Sequence, residues 1–159
     1  MRSETPLKLV GGTGSPYTQK MVALLRYRRI PYSIQWGQPE AACDAMGIEK
    51  PRPIFMPTFF FDGDDGIAAE CDSTPIIRRL EAMYSGRSVL PEDPALAFID
   101  YLIEDFADEW CTKYMFHYRW HFSDDADNAG TLLPLGMDVS MPTASVSYTH
   151  LRAHETGWY

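Results

Sequence analysis

The sequence has few cysteines, no long apolar run and no excess of basic residues. Its three cysteines, at positions 43, 71 and 111, match neither a disulfide framework nor the ligand spacing of a zinc site. The longest apolar run, residues 54–61, is interrupted by Pro57 and is far too short to cross a membrane. Residues 1–6 lack the apolar segment of a secretory signal. We therefore expect a soluble protein of the reducing cytoplasm.

The charge balance excludes one large class of partners. The 22 acidic residues outnumber the 14 basic ones, which gives a formal net charge of −8. A negative field repels phosphate backbones, so nucleic acid is not expected to bind. With 45% hydrophobic and 23% charged residues, the composition is that of a folded globular chain. A length of 159 residues suits one domain, or a small domain and part of another.

The end of the chain has a different character. Residues 146–156 resemble the translated sequence of a transposase adapter used in preparing DNA libraries, although a genuine polar tail is the alternative. We therefore expect residues 146–159 to be non-native. In that case the natural gene continues past Ser145 and the chain is truncated.

Turn residues and apolar spacing up to residue 86 predict the element order βαβ-α-ββα. Ser15 and Pro16 follow a glycine-rich loop and are typical of a helix start. Arg28 lies among the arginines at the predicted end of that helix, where cations suit the macrodipole. A βαβ unit and a hairpin together predict a small mixed sheet covered by helices. Strands are predicted at 7–10, 32–36, 58–61 and 67–69, and helices at 16–30, 38–48 and 73–84.

The remaining sequence is predicted to be helical. Residues 87–93 read as a linker, and apolar residues then recur every three or four positions from Pro94 to Met115. The opposite side of this helix carries acidic residues. We assign residues 94–145 to a partial all-α domain.

Three features that could carry chemistry have plainer explanations. The 11–14 loop lacks the motifs of nucleotide-binding loops, so a tight turn is the better interpretation. The 62–66 segment resembles the start of a calcium loop, but Ser73 occupies the position of the required acidic ligand. His117 and His121 are four residues apart without an evident third ligand, so packing or surface roles are favoured. No bound metal is expected.

Ser15 lies where a strand ends and a helix begins. Backbone N–H groups and the positive end of the helix dipole stabilise an anion at such a position, including a thiolate. A helix cap is the alternative role of this serine. The residue pattern alone leaves both roles open.

Three short motifs resemble those of one protein superfamily. Residues 15–18, Ser-Pro-Tyr-Thr, resemble the Cys-Pro-Tyr-Cys of glutaredoxins, and Met56-Pro57-Thr58 resembles the cis-proline position of the thioredoxin fold. Residues 72–76, Asp-Ser-Thr-Pro-Ile, resemble the Glu-Ser-x-Ala-Ile signature of glutathione transferases. Their order and spacing, over about residues 7–125, resemble the glutathione S-transferase superfamily.

This resemblance implies a fold and an activity. It implies a thioredoxin-like glutathione-binding domain over residues 1–86, a linker at 87–93 and a truncated helical domain at 94–145. The activity implied is the attack of glutathione thiolate on a soft electrophile, with glutathione as co-substrate and a detoxification role. The full-length protein would be a homodimer, and the electrophile would bind against the helical domain.

The resemblance also implies a set of site residues. Ser15 would be catalytic and donate its hydroxyl to the glutathione sulfur. Met56, before Pro57, would pair through its backbone with the cysteinyl part of glutathione, while Asp72 and Ser73 would bind the γ-glutamyl end. Further candidates are Tyr17 for glutathione binding, and Lys50 and Arg52 for the glycyl carboxylate.

Two other functions remain open. One is a glutathione-binding or interaction module without transferase activity. The other is a glutaredoxin-like thiol oxidoreductase, which is less favoured because neither position 15 nor position 18 is a cysteine.

Overall fold

The computed structural model of the chain describes residues 5–63 and 66–137. It divides the chain between Val89 and Leu90 into two compact units. The adapter-like residues 146–159 and the last part of the expected helical domain lie outside the described residues, as do residues 64 and 65 of the 62–66 segment.

The first unit is a four-stranded mixed sheet with three helices, which confirms the predicted fold class. The strands are β1 (Leu7–Gly11), β2 (Tyr32–Trp36), β3 (Thr58–Gly63) and β4 (Gly66–Glu70), and the helices are α1 (Pro16–Arg28), α2 (Pro39–Met46) and α3 (Ser73–Met83). The strand order is β2-β1-β3-β4. β1 and β2 are parallel, whereas the β1–β3 and β3–β4 pairs are antiparallel.

Strand β3 places apolar side chains in two separate cores. Successive side chains of a strand point to opposite faces of the sheet. Phe59 and Phe61 accordingly pack in a cluster with residues of α1 and α3, including Leu25 and Leu80. Phe60 packs instead in a cluster that contains Cys43 of α2. Burial on both faces explains why the middle of β3 is continuously apolar.

Arg28 ties the end of α1 to the end of α3. Its side chain is 1% exposed and its Nη1 lies 3.0 Å from Oε1 of Glu81. Its Nη2 donates to the carbonyl oxygens of Tyr84, at 2.6 Å, and Gly86, at 3.4 Å. Glu81 also accepts a hydrogen bond from the Val89 amide, at 3.1 Å. One buried cation thus fixes the last turn of α3 and the segment that follows it.

The described part of the second unit is helical, as predicted. Asp93 caps the helix that begins at Pro94 by accepting hydrogen bonds from the amides of Ala95 and Leu96, both at 2.9 Å. The helix predicted from Pro94 is not a uniform α-helix, because a π-helical turn interrupts it. The elements are α4 (Pro94–Phe106), the π-helical turn (Ala107–Cys111), α5 (Thr112–Trp120) and α6 (Ser123–Met137). Within residues 5–63 and 66–137, no helix combines the length and apolarity needed to cross a membrane.

Candidate functional site

Three connecting segments of the first unit meet at one end of the sheet. β1 ends where the antiparallel β3 begins, since Val10 pairs with Thr58. β4 in turn ends near the start of β3, since Glu70 pairs with Phe59. The loops beyond these pairs are therefore neighbours, although they are far apart in sequence. The segments brought together are 11–15, 56–57 and 72–73.

Met56 lies against the loop that leads into α1. A Cβ atom built on Gly12 would be 3.0 Å from Met56 Sδ and 4.0 Å from Ser15 Cβ. The Met56–Pro57 peptide bond is cis, the geometry that the resemblance implies, and the Arg52–Pro53 bond is also cis. Pro57 is buried and Met56 half-buried. The predicted residues Ser15, Met56 and Pro57 therefore border one surface.

The start of α1 is locked to the end of β1 by Thr18. A Cβ atom at Gly11 would be 2.6 Å from both Thr18 Cγ2 and Thr18 Oγ1, so only glycine leaves room for this contact. Thr18 Oγ1 accepts a hydrogen bond from the Gly12 amide, at 3.3 Å, and the residue is fully buried. Position 18 thus holds a structural side chain where the glutaredoxin motif has its second cysteine.

Ser15 is the N-cap of α1. Its backbone is extended, and its Oγ accepts a hydrogen bond from the Thr18 amide, at 3.2 Å. A serine hydroxyl has two acceptor lone pairs and one donor hydrogen, so this bond leaves the O–H able to donate. Ser15 is half-buried and keeps access to the surface. Capping and donation to a thiolate are therefore compatible.

The start of α3 combines an acid, a serine and a lysine. Asp72 is exposed and caps the helix, with Oδ1 accepting from the Thr74 amide at 3.2 Å. Its φ angle is +81°, a conformation that favours glycine over other residues. Ser73 is buried, and its Oγ accepts a hydrogen bond from Lys20 Nζ of α1, at 3.0 Å.

The other candidate residues have distinct surroundings. Tyr17 is half-buried in the first turn of α1. Lys50 Nζ lies 2.7 Å from Asp44 Oδ1 in an exposed ion pair, and Arg52 is exposed before its cis bond to Pro53. Nothing in these contacts favours Lys50 over Arg52 as the ligand of a carboxylate.

The two cysteine thiols of the first unit do not lie where a redox site of this fold would place them. Cys43 is buried in α2, and burial raises the pKa of its thiol. Cys71 donates its S–H to the Pro53 carbonyl oxygen, at 3.3 Å. Neither cysteine lies at the start of α1, where a thiolate would be stabilised.

Metal ligands do not gather in the described part of the chain. Within residues 5–63 and 66–137, no group of three or more His, Cys, Asp and Glu side chains could hold a metal ion. His117 and His121 are exposed and stack on each other, with ring centroids 4.5 Å apart.

Most of the first unit matches a known protein family. Residues 9–88, which are half of the chain, match the family model described as glutathione S-transferase, N-terminal domain. In a comparison with curated proteins, no sequence matches the chain.

Proposed function

Since the chain belongs to the glutathione S-transferase family, we propose that it conjugates glutathione to a soft electrophile. The observation that carries this proposal is the meeting of Ser15, Met56–Pro57 and Asp72–Ser73 at one end of the sheet. These residues supply a hydroxyl, the backbone groups of the segment before β3 and a charged helix start. Glutathione is a peptide-like thiol with charged ends, so each feature has a counterpart in it.

The segment before β3 and the start of α3 would bind different parts of glutathione. We assign the backbone of Met56 to the cysteinyl part, with Pro57 holding the segment and Tyr17 at its border. The Asp72 carboxylate would take the γ-glutamyl ammonium. The Ser73 hydroxyl and the N-terminal amides of α3 would take the γ-glutamyl carboxylate, because a helix N-terminus favours an anion.

Ser15 and the N-terminus of α1 would activate the thiol. A hydrogen bond to a charged group contributes about 1.5–3 kcal/mol, and a helix N-terminus about 0.3–1 kcal/mol. One pKa unit corresponds to about 1.4 kcal/mol, so the bound thiol pKa should fall by roughly 1–3 units from about 8.5. At neutral pH the thiol then loses its proton to solvent. The thiolate electron pair forms the new sulfur–carbon bond, and any leaving group departs with its own bonding pair.

The wider biological setting follows from this proposal. We propose a cytoplasmic protein that acts as a homodimer when full length and detoxifies small electrophiles. The alternative, a glutathione-binding module without turnover, shares the same site and differs only in the chemical step.

Ser15→Asp tests the catalytic step. Aspartate is a good N-cap, so folding should be preserved, but its charge lies next to the sulfur and should raise the thiol pKa. Conjugation of an activated aryl halide should fall at least about tenfold at neutral pH, and its pH profile should shift to higher pH. Ser15→Thr, which keeps both the cap and the hydroxyl, is the matched control and should retain most activity.

The outcomes separate the possible roles. Equal rates and pH profiles for parent and Ser15→Asp would leave Ser15 as a helix cap only. Calorimetric binding of glutathione without conjugation by the parent would favour the binding module. No heat with millimolar glutathione would overturn both functions.

A further inference from the structure

Lys20 occupies an unusual place for a cation. It extends from α1 to the first residue of α3, where its Nζ donates to the buried Ser73 Oγ at 3.0 Å. The N-terminus of a helix carries partial positive charge, so a lysine there is electrostatically unfavourable and would be better placed at a C-terminus. A cation at a helix N-terminus departs from this preference, and departures of this kind are expected at functional sites.

The charges at the start of α3 form a complementary pair. Lys20 brings a positive charge to Ser73, and Asp72, the preceding residue, carries an exposed carboxylate. An α-amino acid group has the same two charges, an ammonium and a carboxylate, on a single carbon atom. The γ-glutamyl end of glutathione has such a group.

We propose that Lys20 binds the α-carboxylate of the γ-glutamyl residue of glutathione. This inference rests on the proposed function, and it adds Lys20 to the binding site. The Lys20 ammonium would act together with the Ser73 hydroxyl and the first amides of α3. The Asp72 carboxylate would bind the α-ammonium of the ligand. The bound carboxylate would then interact favourably with both the Lys20 ammonium and the partial positive charge of this helix start.

The test uses calorimetry with two ligands that differ by one charge. These are glutathione and its analogue in which the γ-glutamyl α-carboxylate is a carboxamide. Lys20→Met keeps most of the length of the side chain without its charge and should weaken glutathione binding about tenfold to a hundredfold, the range for a charged hydrogen bond. The same substitution should change analogue binding less than about threefold, because the analogue lacks the charge that Lys20 would bind. Lys20→Arg should retain most affinity for glutathione.

Lys8→Met is the matched control. Lys8 is an exposed lysine of β1 in the same unit, and its backbone pairs with Phe60, away from the end of the sheet that holds the site. Removing its charge changes the net charge equally and should leave binding of both ligands unchanged. This control separates a local contact from a general effect of charge.

The possible results are distinguishable. If Lys20→Met weakens both ligands equally, the Lys20–Ser73 bond is only a structural link and the inference is wrong. If it leaves glutathione binding intact but shifts the pH profile of conjugation, Lys20 acts on the thiolate and the inference is again wrong. If the parent does not bind glutathione, the proposed function itself fails.

Discussion

Replacement of Arg28 or Glu81 tests how much the buried ion pair contributes to the stability of the first unit. The first change is Glu81→Gln, which keeps an acceptor oxygen for the Val89 amide but removes the charge facing Arg28. The second change, Arg28→Met, removes the cation and deprives the Tyr84 and Gly86 carbonyl oxygens of their donor.

The expected magnitudes follow from the burial of each partner. Breaking a buried ion pair costs about 3–5 kcal/mol when one charge is left uncompensated. Arg28 keeps two carbonyl acceptors in Glu81→Gln, so we expect a smaller loss of about 2–3 kcal/mol. Arg28→Met leaves a Glu81 side chain that is 15% exposed and two carbonyls without their donor, so we expect about 3–5 kcal/mol. The double variant has no uncompensated charge and should lose less than the sum, with a coupling energy of about 1–3 kcal/mol.

Urea denaturation measures these differences. The chain has two compact units, and an optical signal can report on both of them. The ion pair lies in the first unit, so hydrogen exchange of the β1 and β3 amides should be measured as well, because it follows the unfolding of that unit. With a slope of about 2 kcal/mol per molar urea, a loss of about 3 kcal/mol lowers the midpoint by about 1.5 M. Additive effects in the double variant, within about 0.5 kcal/mol, would refute the reasoning.

Two further predictions concern the loops of the site. Gly11→Ala should lower the free energy of unfolding by at least about 1–3 kcal/mol, measured by thermal melts, because its Cβ would overlap the buried Thr18. The control Gly12→Ala should lose less, since the atom it meets is Sδ of Met56, whose unbranched side chain can shift to make room; equal losses would contradict this account. Asp72→Asn should weaken glutathione binding by about 1–3 kcal/mol in calorimetry without a change in melting temperature, because asparagine keeps the cap and tolerates positive φ. Unchanged affinity would mean that Asp72 does not contact the ligand.

Local sequence signals predict most of the first unit. Ser15 and Pro16 identify the start of α1, and Asp72 the start of α3, because capping chemistry is local to each helix end. The strand and helix periodicities of this unit are likewise short-range patterns. In the second unit, the spacing of apolar residues does not identify α6 as a separate helix. This helix contains Gly130 and Pro134, and both residue types are unfavourable to helices.

Contacts between distant residues cannot be predicted in the same way. The pattern places Arg28 at a helix end but does not show that it turns inward to Glu81, far along the chain. Lys20 and Ser73 are 53 positions apart, and their bond depends on how α1 and α3 pack on the sheet. Resemblance assigns Ser73 to the site, whereas Lys20 belongs to no motif.

The backbone conformation at position 72 favours glycine, whereas the proposed binding of glutathione requires aspartate. At φ +81° a non-glycine residue costs roughly 1–3 kcal/mol, which glycine would recover. Glycine is also tolerated as an N-cap, so thermal selection alone would favour replacing the aspartate. A library of this protein screened only for heat resistance should therefore become enriched in the Asp72→Gly substitution and lose glutathione affinity. Engineering programmes would need to hold this codon fixed, or screen for binding in every round.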